Sequence, residues 1–100
     1  MAITKDSKPL GKYGRMRRTY LQEHHKVLYN QMLLDGSLWP HLLQVDRQAT
    51  EMMETITEQM KQSYGVTEKL KADDQWRWIQ EMGNIRNAVE EIVLREIVYA

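Results

Sequence analysis

Hydrophobic residues recur every three or four positions along most of this chain, which is the spacing of one face of an α-helix. The first such stripe predicts a helix over residues 13–34. Its apolar positions include Tyr13, Met16, Tyr20, Leu21, Val27, Leu28, Met32 and Leu34. We expect the helix to end at Asp35-Gly36, because glycine takes up the left-handed conformation of a C-cap without strain.

The second stripe predicts a helix from Ser37, as the N-cap, to about Tyr64. Pro40 falls in its first turn, where the missing N–H leaves no hydrogen bond unmade. Gly65 should end the helix in the same way that Gly36 ends the first.

The third stripe begins after Thr67, a residue type that favours the N-cap position. The adjacent residues Asp73 and Asp74 interrupt it, and we expect a bend or a fresh cap at that point. Beyond them, the pattern predicts one long helix to about Tyr99.

These stripes predict an all-α protein, an antiparallel up-down-up three-helix bundle with a long C-terminal helix. Short connections force neighbouring helices to run antiparallel. Residues 12–100 form the predicted bundle domain. Residues 1–11 are polar, lack a period and are predicted to be a flexible N-terminal tail.

The last helix carries apolar residues on every side near its C-terminus, and such a helix must be covered on every side. We therefore predict a homodimer, with a C-terminal turn folded under residues 35–41 as the alternative. Two tryptophans two positions apart cannot face the same core, so one should be exposed or at an interface. The predicted protein interface comprises Trp76, Trp78, Leu94, Val98 and Tyr99.

Composition adds limits on location and chemistry. The 100 residues include no cysteine, which excludes disulfides and thiolate metal sites, and no run approaches the length of a membrane span. We expect a bacterial cytoplasmic protein with no membrane partner. Net charge is zero, but the first 26 residues carry seven Lys/Arg against two Asp/Glu, and the remainder carries seven against twelve.

The basic excess centres on Lys12, Arg15, Arg17 and Arg18, at the start of the first helix. Such a run can contact nucleic acid phosphates or an acidic protein partner. A solvated face or an acidic neighbouring helix is the alternative, and a pI near 6.8 is low for a DNA-binding domain.

Candidate catalytic and metal-binding residues are few. The neighbours His24 and His25 point about 100° apart on a helix and cannot share one ion, and His41 has no histidine four positions away. The adjacent pairs Asp73-Asp74 and Glu90-Glu91 also diverge, so neither can flank a substrate bond. We therefore expect no enzyme activity, metal, cofactor or small-molecule substrate.

Two charged residues interrupt otherwise apolar stripes, Asp46 in the second helix and Arg86 in the third. Burying either without a partner would cost several kcal/mol, roughly. We predict that the two form a structural ion pair, with Arg17 as the second choice of partner for Asp46.

Four sequence blocks suggest a family. They are GKYGRMRRTYL from residue 11, LLDGSLW from residue 33, GVTEKLKA from residue 65 and NIRNAVEEIVL from residue 84, followed by a Val-Tyr pair near the end. In this order and spacing they resemble TnpV, a small protein encoded in transposons and integrative elements of Gram-positive bacteria. The resemblance implies a mobile genetic element as the source and no enzyme activity.

Together, these features predict a non-catalytic accessory protein of a mobile genetic element that acts by binding a protein. The partner would be a recombination protein of the element or a host defence complex, such as a CRISPR effector, that the protein inhibits. The alternative is a nucleic-acid-binding accessory of transposition that uses the basic start of the first helix. Binding to duplex DNA at low salt separates the two classes.

Overall fold

The computed structural model describes residues 9–100, which form five α-helices and one π-helical turn, with no strand among them. The helices are α1 (Lys12–His24), α2 (Lys26–Asp35), α3 (Leu38–Ser63), α4 (Glu68–Asp73) and α5 (Gln75–Val93), and the π-helical turn is Leu94–Val98. The predicted all-α class is confirmed. The predicted three-helix bundle is not confirmed, because the first segment is interrupted at His25, whereas the third is interrupted at Asp74, where a bend or a fresh cap was predicted.

Local chemistry sets the helix ends near the two glycine turns. Gly36 and Gly65 have φ angles of 82° and 68°, the left-handed conformation predicted for both. Ser37 occupies the predicted N-cap position of α3, but its side chain makes no capping hydrogen bond. Instead, its backbone N–H donates to Asp35 Oδ1 at 2.9 Å.

The third segment starts and breaks where the sequence predicts. The Thr67 hydroxyl accepts a hydrogen bond from the Leu70 N–H at 3.1 Å and caps α4. Seven residues later, Asp74 accepts from the Arg77 N–H at 3.1 Å and caps α5. The two aspartates therefore mark a fresh helix start.

The break between α1 and α2 lies at His25, inside the helix predicted over residues 13–34. His25 leaves the helical region, with φ −141° and ψ 58°. The change of direction lets Tyr29 and Met32 of α2 pack against a buried cluster that α1 and α3 share. Leu10, Leu21, Leu38 and Leu42 form that cluster.

A second and larger cluster joins α1, α3, α5 and the π-helical turn. Its buried members are Tyr13, Ala49, Val66, Met82, Ile85, Val89, Val93 and Val98. Residues far apart in the described part of the chain meet there, and burial of their apolar side chains stabilises the fold.

The chain end folds onto α1. The Tyr99 N–H donates to the Leu94 carbonyl oxygen, five residues back, at 2.7 Å. This bond closes a π-helical turn where an α-helix was predicted. Val98 is 0% exposed within its own chain, so its predicted role in an interface between chains is wrong. Leu94 is half-buried and packs on the larger cluster.

Most of the predicted tail, residues 1–8, lies outside the residues that the structure describes. Leu10, which we assigned to the tail, is buried in the smaller cluster. The next residue, Gly11, donates a backbone hydrogen bond to α3. Packed structure therefore begins before residue 12.

Candidate binding surfaces

The start of α1 is held by a carboxylate from α3. Asp46 Oδ2 accepts from the Gly11 N–H at 2.8 Å, and Asp46 Oδ1 accepts from the Gly14 N–H at 3.2 Å. The free N–H groups at a helix start need such acceptors, and a negative charge there is stabilised by the helix dipole. Asp46 therefore caps a helix to which it does not belong.

This contact replaces the predicted ion pair of Asp46 with Arg86. The carboxylate faces backbone N–H groups of α1, whereas Arg86 is exposed on α5 and borders a shallow concavity with Glu54 and Glu58. The second choice, Arg17, points to the chain end instead. The predicted pair is wrong because two glycines, rather than an arginine, supply the partners.

Three of the four residues in the basic run have partners within the chain. Lys12 Nζ donates to Glu90 Oε1 of α5, and this hydrogen bond raises the pKa of Lys12 above its ordinary value. The Arg15 guanidinium donates to the Leu10 carbonyl oxygen at 2.5 Å. Both side chains remain exposed, whereas Arg18 is half-buried.

Arg17 connects α1, α3 and the chain end. Its Nη1 donates to the carbonyl oxygens of Val98 at 3.0 Å and Ala100 at 2.8 Å, and its Nε donates to His41 Nε2 at 3.3 Å. Burial lowers the pKa of Arg17. Burial, and then the nearby Arg17 charge, lower the pKa of His41, which favours the neutral ring that accepts this hydrogen bond.

A groove of about 630 Å³ runs along the outer face of α1. Its floor is apolar and aromatic, and the rings of Tyr20 and Tyr99 lie 5.1 Å apart between centroids. Charged residues stand at its two ends. The lining residues are Lys12, Arg15, Met16, Thr19, Tyr20, Glu23, His24 and Tyr99. Tyr99 therefore lines a surface groove, although it was predicted at an interface of the C-terminal helix.

Helix α2 exposes large apolar side chains and buries none of its residues. Val27 is 79% exposed and Leu34 is 88% exposed, and Leu28 and Leu33 are also exposed. Val27 and Leu34 are seven residues apart, so they lie on one side of the helix, two turns from each other. This pair defines what we call the α2 face.

The two tryptophans of α5 take different positions, as their spacing predicts. Trp76 is 83% exposed. Trp78 is half-buried and packs against the larger cluster, with Lys71 Nζ 4.7 Å from a ring centroid of its indole. Only Trp76 of this pair is available to a partner.

Residues 9–100 contain no group of three or more His, Cys, Asp or Glu placed to hold a metal ion. Within the same range, no helix has both the length and the apolar character needed to cross a membrane. The described surfaces therefore consist of apolar, aromatic and charged side chains without a metal cluster.

A comparison with protein families decides the origin of the chain. The family model described as "Transposon-encoded protein TnpV" matches residues 1–98. The chain belongs to the TnpV family. The match confirms the resemblance seen in the sequence blocks and assigns the protein to a family encoded by transposons. No curated protein and no solved structure matches the chain.

For this TnpV family member, two features of the surface were not predicted from the sequence. Val27 and Leu34 were assigned to the core stripe of one continuous helix, but they lie after the break at His25 and are exposed. The role of Asp46 was also missed. Gly11 and Gly14, one turn apart at a helix start, were the available signal, because glycines there allow a neighbouring residue to approach the backbone.

Proposed function

We propose that the protein is a non-catalytic, cytoplasmic accessory of its transposon that binds a protein partner through the α2 face. The observation that carries the proposal is the exposure of Val27 and Leu34 on a helix that buries none of its own residues. Exposed apolar groups grouped on one surface are typical of protein interaction sites.

The α2 face suits a partner with an apolar groove. Two apolar side chains separated by two helical turns are the anchors of helix-in-groove recognition. Asn30 and Gln31 lie between them and are exposed, so they can form hydrogen bonds at the rim of such an interface. A recombination protein of the element and a host defence complex both remain candidates for the partner.

Crosslinking in the bacterial host tests the partner and its location together. A photoreactive amino acid at Leu33, beside the face, should capture one protein, and the double variant Val27→Asp/Leu34→Asp should lose that product. Because each anchor residue contributes more than about 1 kcal/mol, the affinity should fall at least tenfold, roughly. The matched control Thr50→Asp/Gln59→Asp places two charges at exposed positions of α3 and should retain the product.

Element excision and defence assays then distinguish the two candidate roles. If the partner is a recombination protein, the double variant should change the excision frequency of the transposon. If the partner is a defence complex, the variant should restore host interference against the element. A wild-type protein that captures no partner at Leu33, or a double variant that crosslinks as well as the control, would contradict the proposal.

The alternative function, nucleic acid binding, has weaker support. Lys12, Arg15 and Arg17 all donate hydrogen bonds within the chain, which reduces the number of N–H donors available to phosphates. A titration with duplex DNA at low salt tests this alternative. Binding that weakens steeply with salt, and is lost in Arg15→Ala/Arg18→Ala, would favour it over the α2 face.

A further inference from the structure

The groove on α1 has a repeating arrangement along its length. Lys12, Met16, Thr19 and Glu23 are spaced four, three and four residues apart and all line the groove. At 100° per residue they fall within about 60° of one another around the helix. This is the spacing of a helix seam that packs along a second helix.

The order of these residues is self-complementary. Lys12 and Glu23 are equally far from the midpoint between Arg17 and Arg18, and so are Met16 and Thr19. If a second α1 crosses this midpoint antiparallel, Lys12 faces Glu23 of the second copy and Met16 faces Thr19 of the second copy. A parallel arrangement would instead place like charges together, which is unfavourable.

We infer that a second copy of this chain occupies the groove, with the two α1 helices antiparallel about a two-fold axis. Met16, Tyr20 and Tyr99 supply the apolar area that gives affinity. The two Lys12–Glu23 pairs between the copies set the orientation and add little affinity, because exposed ion pairs are weak.

The charged groups are accessible for these pairs. The Glu23 side chain is 65% exposed, and its Oε1 lies 4.0 Å from His24 Nε2. Lys12 is bonded to Glu90, yet its side chain is still 57% exposed, so an ammonium with three donors can reach a second carboxylate. Each Lys12 would then lie between Glu90 of its own chain and Glu23 of the second copy.

This dimer goes beyond the proposed function and uses a different helix. The α2 face stays free on both copies, so the dimer would present two partner sites. Failure of the dimer would leave the α2 proposal intact, and loss of partner binding would leave the dimer intact.

Charge exchange between two variants tests the arrangement. The wild-type chain of 11.9 kDa should sediment with twice that mass at a concentration of about 100 μM. Glu23→Lys alone should be monomeric, because it places two cations opposite each other at both ends, and Lys12→Glu alone should be monomeric for the converse reason. An equimolar mixture of the two variants restores both ion pairs and should recover the dimer.

Matched variants make the result decisive. Glu51→Lys changes the same charge at an exposed position of α3 and should remain dimeric. Lys12→Glu removes the ion pair with Glu90. If it does not fold for that reason, the double variant Lys12→Glu/Glu90→Lys, which keeps an ion pair within the chain, takes the place of Lys12→Glu in the mixture. A monomeric wild type, a dimeric Glu23→Lys or a mixture that stays monomeric would overturn the inference. Sensitivity to Val27→Asp/Leu34→Asp alone would place the second copy on the α2 face instead.

Discussion

Asp46 shows how one side chain joins two helices at the residue scale. Gly11 precedes α1 and has no side chain with which to cap it. A Cβ atom on Gly11 would lie 2.5 Å from Asp46 Oδ2, and one on Gly14 would lie 3.1 Å from the Leu42 carbonyl oxygen. The glycines therefore allow α3 to approach closely enough for its carboxylate to satisfy the start of α1.

Replacement of Asp46 should measure this contact. Asp46→Ala should lower the free energy of unfolding by about 1–2 kcal/mol, the usual effect of losing a helix cap. Asp46→Asn keeps one acceptor oxygen without the charge, so its free energy of unfolding should lie between those of the wild type and Asp46→Ala. Denaturant unfolding monitored by helical circular dichroism checks the order. A loss no larger than that of the exposed control Glu51→Ala would show that the cap contributes nothing.

At the scale of elements, the helices begin and end where glycine, threonine and aspartate direct them. Gly36 ends α2 in a left-handed conformation, and the space around an added Cβ is open there. Gly83 lies in the middle of α5, where the space is also open and the φ angle is ordinary. The same substitution should therefore have opposite effects at these two positions.

Gly36→Ala should destabilise the protein by about 1–2 kcal/mol, because alanine is strained in the left-handed region. Gly83→Ala should stabilise it by about 0.5–1 kcal/mol, because alanine loses less backbone entropy in a helix. Thermal unfolding of the two variants beside the wild type checks both signs. A stabilised Gly36→Ala would mean that α2 does not require its C-cap.

The sequence predicts the ends of these elements well because their signals are local. Gly65, Thr67 and Asp74 act on residues one to four positions away, and all three take the predicted roles. The break at His25 could not be predicted, because the apolar period continues through it without proline or glycine. Beyond the break, Tyr29 packs against a cluster that gathers residues from before α1, from α1 and from α3, an arrangement that a local pattern does not report.

At the scale of the whole molecule, Arg17 holds together the first helix, the start of α3 and the chain end. None of its three partners is near in sequence, and the sequence therefore predicted that Arg17 lies on a basic surface. A surface role requires a free guanidinium. The structure shows instead an internal connection that depends on His41 remaining a neutral acceptor.

Stability should therefore depend on pH below neutrality. The pKa of His41 is lower in the folded protein than its ordinary value of 6.5, so the unfolded chain binds a proton first as pH falls. The contribution of neutral His41 to stability is fully present above pH 6.5 and is lost as the pH decreases from 6.5 through the pKa of His41 in the folded protein. Chemical unfolding at several pH values between about 7 and 5 should show this decrease.

His41→Gln should flatten that dependence, because an amide oxygen can accept from Arg17 and does not titrate in this range. His24→Gln serves as the control, since His24 is exposed and lies two helical turns along α1 from Arg17, where it lines the groove. An unchanged slope in His41→Gln would assign the pH dependence to another group.

The π-helical turn at Leu94–Val98 means that residue count, as well as residue identity, fixes how the chain ends. A π turn accommodates one more residue than an α turn, and each residue in a helix turns the next by about 100°. If the same residues continued as an α-helix, Val98 would rotate out of the core and Tyr99 away from Tyr20. A homologue one residue shorter in this segment would instead close the turn as an α turn, and the residues that follow would keep their places in the core and in the groove.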